Sequence, residues 1–132
     1  MKMNYFEELF ENILKSMAGE DGEIIRNAGG YIDIRHTNAK YSPRSQSIID
    51  FFVDENKRGK GFGKDLIHKA MKKYPNLGGQ ASSRASIKIM YDAGMRNPTN
   101  PDATLDDLFR MKEEWSSVYM ALKDRNGIPY VK

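Results

Sequence analysis

The chain has 132 residues, of which 39% are hydrophobic, 30% are charged, and the net charge is only +3. That suits one domain with one core, and the charge is too small to argue for a nucleic-acid partner by itself. Cysteine is absent, which excludes disulfides and thiol chemistry, and the two scattered histidines, His36 and His68, argue against a metal centre.

The N-terminal segment lacks the apolar run of a signal peptide, and no stretch is long enough to cross a membrane, so a soluble cytoplasmic domain spanning 1–132 is expected. In chain order, the first expected element is a helix. Phe6, Leu9, Phe10, Ile13, Leu14 and Met17 form one apolar stripe for packing on a core, with Asn4 as cap and Gly19 beyond the end. Next comes a hairpin, residues 23–27 and 30–36, turning at Asn27-Ala-Gly-Gly; its second strand alternates Tyr31, Asp33 and Arg35 with Ile32 and Ile34. His36 is expected as a solvated side chain at the start of the polar loop that follows.

The nearly continuous apolar run Ser-Ile-Ile-Asp-Phe-Phe-Val-Asp reads as a strand covered on both faces. Directly after it, Asn-Lys-Arg-Gly-Lys-Gly-Phe-Gly-Lys leads into a helix that turns Leu66, Ile67, Ala70, Met71 and Tyr74 inward and stops at Pro75. A short strand, Asn-Leu-Gly-Gly-Gln-Ala-Ser, is followed by a helix over 84–93 with Gly94 beyond its end. A second helix starts at Thr104, and a last strand lies in Ser-Ser-Val-Tyr-Met-Ala-Leu-Lys-Asp. The order of elements predicts an α/β or α+β domain.

A strand that runs through glycines into a helix makes an anion site. The first amides of the helix have no partner within it, the helix dipole adds positive potential, and glycine lets a phosphate approach the backbone. Arg58, Lys60 and Lys64 add full charges, so a phosphate or pyrophosphate is implied. The nucleotide loop GxxxxGK[ST] is absent, and Gly59, Gly61 and Gly63 do not make GxGxxG. What stands here is Arg58-x-x-Gly61-x-Gly63, five residues after Val53. It resembles the Q/R-x-x-G-x-G/A acetyl-coenzyme A signature of the GNAT superfamily of N-acyltransferases. A second segment, Ala-Ser-Ile-Lys-Ile-Met-Tyr-Asp-Ala-Gly-Met-Arg, is similar to that family's fourth-helix segment, with Tyr91 three residues before Gly94-Met95. Ser-Val-Tyr-Met-Ala-Leu-Lys resembles its closing strand. The likeness covers about residues 48–96 and 116–123.

Four departures accompany it. The family usually opens with a strand where this chain starts at a helix, Arg84 stands where asparagine is common, Gly94-Met95 stands for Gly-Phe, and a helical insertion at about 97–115 precedes the last strand. The resemblance implies a central mixed, mostly antiparallel sheet flanked by helices. It also implies acetyl-CoA as co-substrate, with its pyrophosphate on the amides of Gly59, Lys60, Gly61, Phe62, Gly63 and Lys64, Arg58 nearby and its pantetheine beside Val53.

The implied reaction is direct attack of an amine on the thioester. Tyr91, by its family position, is the candidate general acid; the alternative is a helix tyrosine packed in the core. Asp50, among apolar neighbours, is the candidate base, on the expectation that burial raises its pKa. The alternative is a carboxylate at a sheet edge or in an ion pair. Ser83, Arg84 and Ser86 either touch the cofactor or cap a helix. Trp115 and Phe109 are read as core residues ahead of an acceptor pocket. The amine acceptor is left open between protein and small molecule; a nucleobase-modifying protein and a non-catalytic CoA- or partner-binding domain are the alternatives.

Overall fold

A computed structural model describes residues 6–7, 22–37, 45–124 and 126–130. Five strands make one sheet in the order β1 (Gly22–Arg26), β2 (Gly30–Thr37), β3 (Ser45–Val53), β4 (Leu77–Ala81) and β5 (Val118–Ala121). Every ladder is antiparallel except the one between β3 and β4. That parallel pair needs a long crossover, which α1 (Phe62–Lys73) supplies. Helices α2 (Arg84–Asp92) and α3 (Leu105–Trp115) lie between β4 and β5 in the chain. This is the mixed, mostly antiparallel sheet with flanking helices that the sequence predicts.

Local chemistry explains the element ends. Asn27 makes the hairpin turn, its Oδ1 accepting the N–H of Gly29 at 2.8 Å and of Gly30 at 3.0 Å. Ser83 caps α2 in a reciprocal arrangement with Ser86, and Thr104 does the same for α3 with Asp107. At the far end of α2, Gly94 takes φ 102°, and Met95 N–H reaches back to the Met90 carbonyl at 3.0 Å.

The core lies on one face of the sheet. Ile32 and Ile34 of β2, Ile48 of β3, Leu77 of β4 and Met120 of β5 meet Leu66, Ile67 and Ala70 of α1, Ile87 and Met90 of α2 and Leu108 of α3. Each fully buried Ile, Leu or Met side chain contributes about 1.5–3 kcal/mol before entropic costs.

Four sequence expectations need correction. β3 is not covered on both faces: Ile49 is 52% and Phe52 44% exposed. A β-bulge decides which residues lie on the open face. Asp33 pairs with Asp50, yet Ile34 pairs with Ile48, so Ile49 is an extra residue in β3. Ile48, Phe51 and Val53 therefore face the helices, while Ile49, Asp50 and Phe52 face away. His36 lies in β2, within the expected 30–36 bound, but is not the solvated side chain expected: it is half-buried, 3.2 Å from the Gln46 amide and edge-on to the Tyr74 ring. Trp115, expected in the core, is 70% exposed at the end of α3, whereas Phe109 does pack on the core. Phe6 is helical as expected, yet 78% exposed. The rest of its stripe and the caps at Asn4 and Gly19 lie outside the described residues, as does most of the loop after β2.

Candidate active site

The glycine-rich turn joins β3 to α1. Gly59 and Gly61 have φ of 77° and 87°, the left-handed region that glycine enters without strain. A Cβ added at either would meet nothing within 4 Å, so the outer side of the turn is open. Gly63 serves packing instead, since a Cβ there would lie 2.9 Å from Ile89 Cδ1 and 3.3 Å from Val53 Cγ2. It lets the head of α1 close against β3 and α2.

The first helical bond, Asp65 N–H to the Gly61 carbonyl at 3.0 Å, leaves the amides of Phe62, Gly63 and Lys64 with no backbone acceptor among the described residues. Arg58, Lys60 and Lys64 are exposed around them, and none forms an ion pair with a described carboxylate. Arg58 Nε donates to the Val53 carbonyl at 3.1 Å, which anchors the guanidinium at the strand end. Donors, unpaired cations and open space thus converge, a combination that suits a phosphate group.

Asn27 holds this turn from the side, and sequence reasoning missed it. Its Nδ2 donates to the Phe62 carbonyl at 3.0 Å and to Asp65 Oδ2 at 2.8 Å. The same residue makes the β1–β2 turn, so hairpin and helix head are locked together. Lys57 Nζ adds a bond to the Ala28 carbonyl at 2.5 Å. Asn27 reads in the sequence only as a turn residue; nothing local points to a partner 35 positions away.

Beyond the turn the sheet opens. The β3–β4 ladder has three rungs, Gln46–Leu77, Ser47–Gly78 and Ile48–Gly79. After the last rung, among the described residues, β3 continues to Val53 without a partner on that side, and β4 continues to Ala81 paired only with β5. The bulge at Ile49 sits at the start of this split. Unpaired backbone donors and acceptors along β3 are suited to an extended, amide-containing ligand.

The two candidate catalytic side chains lie on opposite sides of the sheet. Tyr91 is on α2, half-buried against the core, with the Arg96 guanidinium 3.8 Å above its ring centroid. Arg96 also donates to the Tyr91 carbonyl at 2.9 Å, so it fixes both ring and helix end. Asp50 is on the other face and is exposed, which removes the expected burial. Its Oδ2 accepts the Tyr31 hydroxyl at 2.6 Å. Burial of the phenol, with this bond and the Asp50 charge, pushes Tyr31 up to about 12, so Tyr31 is a firm donor at neutral pH. Tyr31 was legible only as one residue of an alternating strand; its diagonal meeting with Asp50 depends on the register.

Ser83 and Ser86 are absorbed by the α2 cap, and Arg84 pairs with Glu113 at 2.6 Å while lying over the Phe109 ring. That α2–α3 bond occupies the position where the resembling family often has asparagine. Among the described residues no cluster of potential metal ligands occurs, and no helix is long and apolar enough to cross a membrane.

A family model described as the acetyltransferase (GNAT) family matches residues 4–90. No curated protein and no solved structure matches the chain. The matched segment holds the glycine turn, the split between β3 and β4 and most of α2, and it ends one residue before Tyr91. The chain belongs to the GNAT acetyltransferase family.

Proposed function

We propose that this protein is an acetyl-CoA-dependent N-acetyltransferase that passes its acetyl group directly to an amine. The observation that carries the reading is the junction of β3 and α1. There, among the described residues, the Phe62–Lys64 amides lack backbone acceptors beside three cations without an ion-pair partner, next to a sheet that opens after the Ile48–Gly79 rung. Acetyl-CoA supplies an activated acyl carbon as its thioester. The amides and Arg58, Lys60 and Lys64 would hold its pyrophosphate, and the free edge of β3 up to Val53 would carry its pantetheine.

The split also reconciles the two catalytic candidates. Tyr91 belongs to the helix-covered side and Asp50 to the other, so a reacting carbon within the opening is approachable by both. As the nitrogen–carbon bond forms and the carbon–sulfur bond breaks, the Tyr91 hydroxyl gives its proton to the departing sulfur. The proton lost by the attacking amine goes to Asp50, directly or through a water. Asp50 is suited to this by access and by the Tyr31 bond, not by burial.

Thermal denaturation tests the reading. Acetyl-CoA should raise Tm, since a ligand of the native state stabilises by about 2.7 kcal/mol at a hundredfold excess over Kd. ATP and NAD should do much less. The absence of any shift at millimolar acetyl-CoA would remove the proposal. A screen for free CoA release over small amines, proteins and DNA then identifies the acceptor; release with DNA alone would move the chemistry to a nucleobase.

A further inference from the structure

The face of the sheet turned away from α1, α2 and α3 carries polar chemistry that the acetyl donor does not use. Past the last β3–β4 rung, Asp50 follows the bulged Ile49 on one bank of the split and Gln80 follows Gly79 on the other, and both are exposed on this face. Each is held by a hydroxyl. Tyr31 donates to Asp50 Oδ2 at 2.6 Å, and Ser117 donates to Gln80 Oε1 at 3.0 Å. Tyr31 is itself fixed, its ring 5.7 Å from Phe52 and its other contact the Arg26 guanidinium at 5.5 Å. The exposed Ile49 and Phe52 flank Asp50 along β3.

The charges on this face do not cancel. Asp33 stands opposite Asp50 across the β2–β3 ladder, but it is buried and paired with Arg35 at 3.2 Å. Arg26 lies over the Tyr31 ring. Asp50 forms no ion pair with any described cation. One oriented carboxylate, with Oδ2 engaged and Oδ1 left over, therefore stands on an apolar platform at the rim of the opening.

We propose that Asp50, oriented by Tyr31 and flanked by Ile49, Phe52 and Gln80, is the seat of the acyl acceptor, and that its occupant is a primary ammonium carried on an apolar or aromatic stem. The inference rests on the acetyl-transfer reading for what happens to the amine, and on this face alone for its recognition. A single free carboxylate matches a single cation. An anionic acceptor such as a nucleic-acid backbone would be repelled here. Tyr31 is a positioning residue: it holds one Asp50 oxygen so that the other faces the ammonium.

Binding of phenethylamine, 2-phenylethanol and phenylacetate, followed by ligand-observed nuclear magnetic resonance at pH 7 with CoA present throughout, tests the seat. In the wild type the amine should bind at least about tenfold more tightly than the alcohol, the scale of one charge-assisted hydrogen bond, and the carboxylate should bind most weakly. Asp50→Asn should bring amine and alcohol to within about twofold, and Tyr31→Phe should leave a preference of only a few-fold. Both positions are on the outer face, so folding should survive. Equal binding of amine and alcohol by the wild type, or a full preference retained in Asp50→Asn, overturns the proposal. The Tm shift with acetyl-CoA separates the two readings. A normal shift with no amine preference overturns the seat alone, and an amine preference lost in Asp50→Asn supports the seat even where acetyl-CoA gives no shift.

Discussion

Two groups of glycines do opposite work in this protein. Gly59 and Gly61 stand in open space, and their φ values of 77° and 87° are what glycine provides. Gly78 and Gly79 sit in β4, where the neighbours are crowded. A Cβ at Gly79 would lie 2.9 Å from Ile48 Cβ and 3.1 Å from its carbonyl oxygen, and one at Gly78 would strike the Tyr119 hydroxyl. The first group uses backbone conformation to leave room for something outside the chain. The second uses the missing side chain to draw β3, β4 and β5 together just before the sheet splits. Glycine near a site can thus serve the ligand or the scaffold, and substitutions should tell the two apart.

The largest expected effect is at Gly61. Gly61→Val forces a branched side chain into the left-handed region and into the space before the Phe62–Lys64 amides. The Tm shift with acetyl-CoA should disappear, while the protein alone loses only about 1 kcal/mol or somewhat more from backbone strain. A retained shift would mean that the loop is not the phosphate site.

Tyr91→Phe sharpens the contrast between binding and chemistry. The ring and its contact with Arg96 remain, and only the hydroxyl is removed. The acetyl-CoA shift should survive while kcat falls on the order of 10², the usual scale for a general acid. Near-normal kcat would make Tyr91 a packing residue. A lost shift would show that its hydroxyl holds the donor.

Gly79→Ala should act only through stability. The backbone of β3 must give way, at about 1–3 kcal/mol, read as a lower denaturant midpoint with an unchanged acetyl-CoA shift. Gly78→Ala should cost less, since the obstacle is the end of a side chain that can swing aside. If Gly79→Ala abolished the shift without lowering stability, the division between ligand and scaffold glycines would fail.

The smallest effect concerns alkaline pH. The Tyr31 phenol titrates near 12 in the fold against an ordinary value of 10. A raised value means that its contribution is fully present below pH 10 and is lost as pH climbs towards 12. Tyr74, raised to about 12 by burial and by its bond to Glu23, adds a second loss in the same window. Thermal scans from pH 9 to 12 should therefore show a shallower fall of Tm in Tyr31→Phe than in the wild type. Parallel curves would show that the Tyr31–Asp50 bond is not maintained in solution.

Local signals carried much of this protein in its sequence. The Asn27 turn, the alternation of Ile32 and Ile34, the inward stripe of α1, the stop at Pro75 and the Ser83 and Thr104 caps each depend on neighbours within a few residues. The glycine turn belongs to the same class, because an apolar strand, positive-φ glycines and an amphipathic helix follow one another directly in the chain. What only the tertiary structure decided depends on pairing between distant segments. The run 47–53 has no period that reveals an extra residue, and the bulge at Ile49 exists only against β2. That one residue turns Asp50 from the expected buried position to the open face, in reach of Tyr31. The same holds for Arg84, whose partner Glu113 lies 29 residues on, and for the split itself, since β3 and β4 separate where the bulge begins. A side-chain period of two makes strand faces sensitive to a shift of a single residue, so the sequence determined which residue types meet at the site and the register decided which side of the sheet they serve.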